Sequence, residues 1–317
     1  MGAGQIDIDL IRSEPPNEEA GEGAFACLLT PAQRRFIRCN FPVPEMGPAQ
    51  ALEIAGAVIE PRRLSLSELR ALRAVRLTVV TECAGNGRSH IVPPADGEPW
   101  RDGAVSTAQW TGVPLSSVLQ LRDTAVEVVF TGADGGEYQR SLPREVAMDH
   151  GTLLAWEMNG APIPPVFGGP LRLIVPGWYG MASVKWLARV EAVERPFEGK
   201  FQSGRYVYAP GVPVTRIRVK AMFTGVATSR IAGLAWGGAG IAAVDVCVDG
   251  VWLRARQVGP VLPQAWRRWE LAWKPRPGRH LLACRATDVR GVSQPPQPLW
   301  NRLGYGANGV QEVEVVL

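Results

Sequence analysis

Cys83 is the residue whose neighbours best equip it for chemistry. It ends the run Thr78-Val79-Val80-Thr81-Glu82 and opens Ala84-Gly85-Asn86-Gly87-Arg88-Ser89. Residues 76–81 are β-branched and apolar enough to form a buried strand. Gly85 and Gly87 then permit backbone turns that other residues resist. A cysteine at such a junction projects from a rigid strand end into a cleft. Asn86 supplies donor groups beside it, and Arg88 supplies a fixed positive charge. A nearby cation favours the thiolate, the form that attacks electrophiles and ligates metals. The competing reading is an inert buried thiol.

Further polar residues stand out along the chain. Phe36, Arg38, Cys39 and Asn40 precede Phe41-Pro42-Val43-Pro44, whose prolines enforce an extended path. Asp134 sits in the turn Thr131-Gly132-Ala133-Asp134-Gly135-Gly136. Arg172 interrupts an apolar strand at 171–175, and Lys185 follows Gly180-Met181-Ala182-Ser183-Val184. An Arg/Lys pair suits phosphate, because Arg donates in a fork and Lys adds a point charge. Tyr206 and Tyr208 follow Phe201-Gln202-Ser203-Gly204-Arg205, each open to a structural or a hydrogen-bonding role.

The elements that must carry these residues are legible in outline. Residues 1–30 are acidic, with Pro and Gly, and read as an extended arm that packs late or partly frays. Ser65 and Glu68 form a capping box for a short helix leading to the Cys83 strand. Pro114 fits the first turn of a helix continuing through Val118 and Leu119. Residues 126–130 form a strand. From about residue 210 the chain alternates as antiparallel strands do, beginning at 215–220. Asp249-Gly250 joins 244–248 to 251–255 as a hairpin. Residues 266–273 and 280–287 read as another hairpin around Pro275 to Gly278. Strands at this spacing imply a β-sandwich, with Cys247 and Cys284 as buried core thiols.

Composition narrows the function. A length of 317 residues suggests two domains. A net charge of +4 gives no nucleic-acid footprint. The 5 Cys form no close pair, which fits a reducing, cytoplasmic setting better than a disulfide scaffold. With 3 scattered His, a His-rich zinc site or a c-type haem attachment has no basis. A metal here needs thiolate and a non-protein ligand, which suits a soft-ligand transition metal. No apolar run approaches the ~20 residues of a membrane span, and the start lacks the regions of a signal peptide.

The order Cys83-Ala84-Gly85-Asn86-Gly87-Arg88 closely resembles the metal-binding loop of the sulfite oxidase family of molybdenum enzymes. The resemblance extends over nearly the whole chain. It implies an α+β molybdopterin-binding domain over residues 1–207 and an immunoglobulin-like dimerisation domain over 208–317. It makes Cys83 the molybdenum ligand, and a molybdenum–molybdopterin without haem the cofactor. Arg38 matches the family's substrate Arg, while Cys39 and Asn40 replace an Asn and a His. Phe36, Arg38, Cys39 and Asn40 then line the cofactor, and the run 103–112 borders it. Asp134, Arg172, Ser183, Val184 and Lys185 contact the pterin or its phosphate. Arg38, Arg88 and Tyr206 act on the substrate, with Tyr208 the alternative to Tyr206.

Other departures stand beside these matches. Phe167 and Ala182 lie where many members have a phosphate-contacting His and an Arg, so fewer donors should weaken cofactor retention unless Trp178 and Tyr179 or backbone amides compensate. Leu303 lies where sulfite-oxidising members have an Arg, next to Arg302. The expected substrate is a small anion, sulfite foremost, with electrons leaving to an external acceptor and a homodimer as the assembly. The alternatives are a related enzyme acting on a sulfoxide or another oxyanion, and a non-catalytic relative. The Cys39 thiol is expected to turn away into the core.

Overall fold

The computed structural model describes residues 10–47, 51–135 and 138–317. Part of the expected arm (residues 1–9) and Gly136 of the Asp134 turn lie outside the described residues. The rest of the arm is packed: Asn17, Glu19 and Ala24 are buried. It contributes β1 (Leu10–Arg12) and β2 (Asn17–Glu18) to a small sheet completed by β3 (Ile37–Arg38).

Strand β4 (Ala51–Gly56) turns back into β5 (Arg62–Ser65), which runs into α1 (Leu66–Ala71). Ser65 and Glu68 close the expected capping box, so two orphan amides of that helix are satisfied. Strand β6 (Val75–Glu82) pairs antiparallel with β7 (Val105–Pro114), from Val75 opposite Gly112 to Glu82 opposite Val105. Strands β8 (Glu127–Gly132) and β9 (Gln139–Pro143) pair before the short α2 (Arg144–Ala147). Then follow β10 (Leu153–Met158), β11 (Ala161–Pro162), β12 (Arg172–Ile174) and β13 (Leu187–Val193). Two five-stranded sheets result. One runs β11-β10-β7-β6 with β12 on β10; the other runs β5-β4-β13-β8-β9. The α+β expectation is therefore corrected to a mostly β fold with few, short helices. Pro114 likewise ends a strand, and only a 3-10 turn at Leu115–Ser117 follows. The Leu115 amide is taken by Thr152 of the neighbouring chain segment, so tertiary pairing overrides the local helix signal.

The second part begins with a small pair, β14 (Val207–Ala209) and β15 (Val212–Pro213). Two four-stranded antiparallel sheets come after it. One is built from β16 (Lys220–Ala227), β17 (Arg230–Trp236), β20 (Arg256–Val258) and β21 (Arg267–Ala272), in the order β16-β17-β21-β20. The other is β19 (Val251–Arg254), β18 (Ile241–Val248), β22 (Arg279–Asp288) and β23 (Gln311–Val316), in that order. Both sheets contribute to one core, with Ile231, Ala235 and Trp269 from the first and Val244, Leu282 and Cys284 from the second. The Asp249-Gly250 hairpin forms as expected, with φ of 48° and 88° at its two turn residues.

Other expectations fail for one reason, that adjacent segments pair elsewhere. Strands β21 and β22 do not form a hairpin. They lie in opposite sheets, because Trp269 and Leu282 both point into the shared core and can do so only from opposite sides. Residues 215–219 are not a sheet strand. Thr215 and Ile217 bond to Tyr179 and Gly177, tying the second part to the first. Cys284 is a core thiol, but Cys247 is half-buried on the outer side of its strand.

The two parts meet through buried polar contacts. Trp236 Nε1 donates to Glu82 Oε2 at 2.9 Å, and Lys220 Nζ lies 3.1 Å from Asp102 Oδ1. Burial acts to raise the Asp102 carboxyl, but Lys220 and His90 outweigh it and hold it well below the usual carboxylate range. The sign follows: the contribution of Asp102 is complete above its unfolded pKa of about 3.9 and is lost as pH falls toward its folded value. Asp102→Asn, which strands Lys220, is expected to cost about 3–5 kcal/mol at pH 7. In urea unfolding the gap from the parent protein should narrow below pH about 4; a gap independent of pH would refute the pairing.

Candidate active site

Strand β6 delivers Cys83, and a hydrogen-bonded turn fixes it. The Cys83 amide donates to the Ala104 carbonyl at 2.9 Å. Asn86 donates from Nδ2 to Glu82 Oε1 at 2.9 Å and accepts from the Ala104 amide at 3.0 Å. Gly87 adopts a φ of 84°, which allows the turn to close. The thiol faces a cleft that it shares with Arg38, Lys185 and Tyr206. Burial pushes the Cys83 thiol up, while the charges of Arg38 and Arg88 draw it down. The expected benefit of the cations is present, but desolvation outweighs it.

A second group of side chains enters from β3 and the loop after it. Arg38 donates to Asn17 Oδ1 at 3.1 Å, to Asn40 Oδ1 at 2.7 Å and to the Cys39 carbonyl. Asn17 Oδ1 also accepts from the Cys39 amide at 3.3 Å, so this fully buried residue of the arm organises the loop. Asn40 Nδ2 lies 3.3 Å from the Tyr206 hydroxyl. Tyr206, not Tyr208, lines the cleft; Tyr208 lies against Arg218 instead.

The same cleft holds a third group, Arg35, Arg172 and Lys185. Arg172 donates to the Phe167 carbonyl at 2.8 Å, and Lys185 Nζ to the Val166 carbonyl at 2.8 Å. Arg35 Nε and Nη1 and Arg172 Nε have no hydrogen-bond partner. Among the described residues no carboxylate forms an ion pair with any of the three. Desolvation, with the charge of Arg172 beside it, lowers Arg35 to about 9. Desolvation lowers Arg172 to about 10 and Lys185 to about 8. Asp134 also lines the cleft, raised to about 6 by desolvation, with Oδ1 unpartnered.

Ten predicted residues therefore share one cleft: Cys83, Phe36, Arg38, Cys39, Asn40, Asp134, Arg172, Ser183, Lys185 and Tyr206. Val184 does not reach it. Its side chain is buried and its backbone bonds to Ala182 and Leu173. Arg88 does not line it either. Its guanidinium donates to the carbonyls of Leu303 and Glu98 and lies over the Tyr305 ring. The run 103–112 stays behind the wall, with Trp110 under Arg35 and Arg172. Cys39 corrects an expectation: its thiol faces the cleft, with Sγ 3.2 Å from Lys185 Nζ. A further cation, Arg35, stands beside the Phe167 position, with its guanidinium 5.6 Å from that ring. Arg35 was not singled out because its neighbour Arg34 carries the same charge to the surface, and pattern alone does not tell them apart.

The donor set fits a metal-bearing group with an anionic tail. A thiol is present for a soft metal, and buried N–H groups without acceptors match phosphate oxygens. Comparisons with known proteins agree. The family described as "Oxidoreductase molybdopterin binding domain" matches residues 40–201. The mitochondrial sulfite oxidase of Macaca fascicularis is 35% identical, over 96% of this chain and 64% of its own length. This chain thus spans less than two thirds of the mammalian relatives it matches. Sulfite oxidase of Gallus gallus is 33% identical, over 92% of this chain and 73% of its own. A nitrate reductase of Hordeum vulgare is 28% identical, over 93% and 40%. Among solved structures, the sulfane dehydrogenase SoxCD of Paracoccus pantotrophus superposes with a TM-score of 0.87 at 27% identity, covering 96% of this chain and 85% of that one.

Removing the Arg35 charge should loosen an anionic cofactor. A charged hydrogen bond contributes about 1.5–3 kcal/mol, so Arg35→Leu should weaken retention roughly ten- to a hundredfold. Pterin fluorescence of denatured, oxidised protein after gel filtration measures this, and undiminished pterin would refute it. Cys39 should react with iodoacetamide in cofactor-free protein and be shielded in loaded protein, as mass spectrometry of the peptide would report.

Proposed function

The chain belongs to the molybdopterin-binding oxidoreductase family that includes the sulfite oxidases, and we propose that it oxidises a small sulfur oxyanion, sulfite foremost, passing electrons to an external acceptor. The observation that carries the reading is a single cleft lined by the Cys83 thiol, the Arg38 guanidinium, the Tyr206 hydroxyl and the buried Arg35 and Arg172, which keep nitrogens without a hydrogen-bond partner. When bound, a molybdenum–molybdopterin supplies two-electron redox chemistry with oxygen-atom transfer.

The chain's own residues bind and orient. Cys83 would hold the metal. Arg35, Arg172 and Lys185 would hold the phosphate, with Asp134, Ser183 and the loop from Phe36 to Asn40 around the pterin. Arg38 attracts the anionic substrate in a site where burial strengthens its field. The Tyr206 hydroxyl, steered by Asn40, donates to a substrate oxygen. Strands β16–β23 form the proposed dimerisation domain, from about residue 208, with the exposed edge strand β19 and its Trp252 as the contact. The described cysteines are free, which supports a reducing, cytoplasmic setting.

One observation favours a second reading, an oxyanion other than sulfite. Arg302 pairs with Asp96 at 2.9 Å on the surface, and neither it nor Leu303 lines the cleft. Substrate binding then rests on Arg38, and the relatives include a nitrate reductase.

Protein shown by elemental analysis to carry molybdenum should reduce ferricyanide when given sulfite. Arg38→Met should raise the sulfite KM about tenfold or more, with a smaller effect on kcat. No turnover by loaded protein would reject sulfite and move the search to other oxyanions and sulfoxides.

A further inference from the structure

Tyr305 comes from the second part of the chain, in the connection between β22 and β23. Asn301 fixes it twice. The Tyr305 amide donates to Asn301 Oδ1 at 3.0 Å, and its carbonyl accepts from Asn301 Nδ2 at 2.8 Å. Gly304 and Gly306 flank it with φ of 60° and 67°. The Gly306 amide donates to the carbonyl of Ala84, one residue after Cys83, at 2.8 Å.

This turn carries the Tyr305 ring onto Tyr206. The centroids are 5.3 Å apart and the planes 28° from parallel. Arg88 lies 5.3 Å from the Tyr305 centroid, and Arg140 lies 6.0 Å from that of Tyr206. The two rings therefore stack, with Arg88 against Tyr305 and Arg140 near Tyr206. Both cations are anchored by carbonyls, Arg88 by those of Leu303 and Glu98 and Arg140 by those of Phe201 and Val214. Tyr206 needs such support. Its φ of 52° is a left-handed conformation that a bulky residue rarely adopts. Its hydroxyl contact with Asn40, at 3.3 Å, is too long to fix the ring alone.

We propose that Tyr305 is a positioning residue that clamps the Tyr206 ring by stacking on it, so that the Tyr206 hydroxyl stays beside Asn40 in the cleft. Arg88 acts through this stack, not on the substrate. The proposal rests on the reading of Tyr206 as a residue that touches substrate.

The test compares Tyr305→Phe, Tyr305→Leu, Tyr206→Phe and the Tyr206→Phe/Tyr305→Leu double variant, all loaded with molybdenum. Tyr305→Leu should lower kcat for sulfite about tenfold with KM within about twofold. Tyr305→Phe, which keeps the stack, should stay within about threefold of the parent. The double variant should be no slower than Tyr206→Phe. An undiminished kcat in Tyr305→Leu, or penalties that multiply in the double variant, would overturn the proposal.

A second measurement needs neither turnover nor a Tyr305 variant. The chain has 5 Tyr, so fluorine NMR of protein labelled with 3-fluorotyrosine is resolvable. The Tyr206 signal is identified by its loss in Tyr206→Phe. A clamped ring gives two slowly exchanging signals, one for each ring orientation; one sharp averaged signal would overturn the clamp. Failure of sulfite turnover with two slow signals would reject the substrate reading and leave the clamp standing.

Discussion

Arg35 and Arg172 are buried beside the half-buried Lys185 with no ion-paired carboxylate among the described residues, and the pocket is built around that constraint. Burying a charge is unfavourable unless it is paired or hydrogen-bonded. Here each cation is only partly satisfied by carbonyls or aromatic faces, and Arg172 repels both Arg35 and Lys185. Such a cluster makes physical sense if a polyanion completes it. The surrounding sheets hold the cations in place: Arg172 on β12, packed against β10, and Arg35 in the segment leading to β3. Without the anion the repulsion remains, and the pocket must be stabilised by the cores on either side.

That stabilisation comes from both parts of the chain. Glu82 precedes Cys83 and is itself fully buried. Desolvation raises it to about 7, while Lys220, Asn86 and Trp236 act in the opposite direction. Trp236 and Lys220 belong to the second part, so the strand that presents the thiol is held from across the junction. At the close approach of Gly177 and Gly238, a Cβ on either glycine would fall 2.6–2.7 Å from a carbonyl oxygen. Tyr305 and Gly306 reach further, to Tyr206 and Ala84. The second part therefore braces the site from behind, while the residues that line the cleft all come from the first part.

The sequence made local signals legible and left pairing hidden. The Cys83 junction, the capping box and the Asp249-Gly250 turn each depend on a few adjacent residues, and each formed as read. Pro114, residues 215–220 and the 266–287 pair also carried reasonable local signals. They were redirected by partners distant in sequence: Thr152, the 177–179 loop and the opposite sheet of the sandwich. The site divides the same way. Motif residues such as Arg38, Arg172 and Lys185 were legible by resemblance. Arg35, Asn17 and Tyr305 were not, because nothing around them in sequence reports which way a side chain faces or what it stacks on.

The departures from the family pattern have unequal consequences. On the proposed phosphate side, Arg35 supplies charge beside Phe167, with its guanidinium 5.6 Å from that ring and two nitrogens without a hydrogen-bond partner. On the substrate side, nothing comparable replaces the Arg expected at Leu303. Arg302 is turned to Asp96, and Arg88 is committed to carbonyls and to Tyr305. A guanidinium with two carbonyl acceptors and an aromatic face has few donors left for an anion. On the proposed reading, the chain keeps its means of holding a cofactor and leaves the substrate to Arg38 and Tyr206. On that reading, selectivity depends more on how Tyr206 and Asn40 are aimed than on summed positive charge, because a site built on directed hydrogen bonds discriminates by geometry where a bare cationic patch does not.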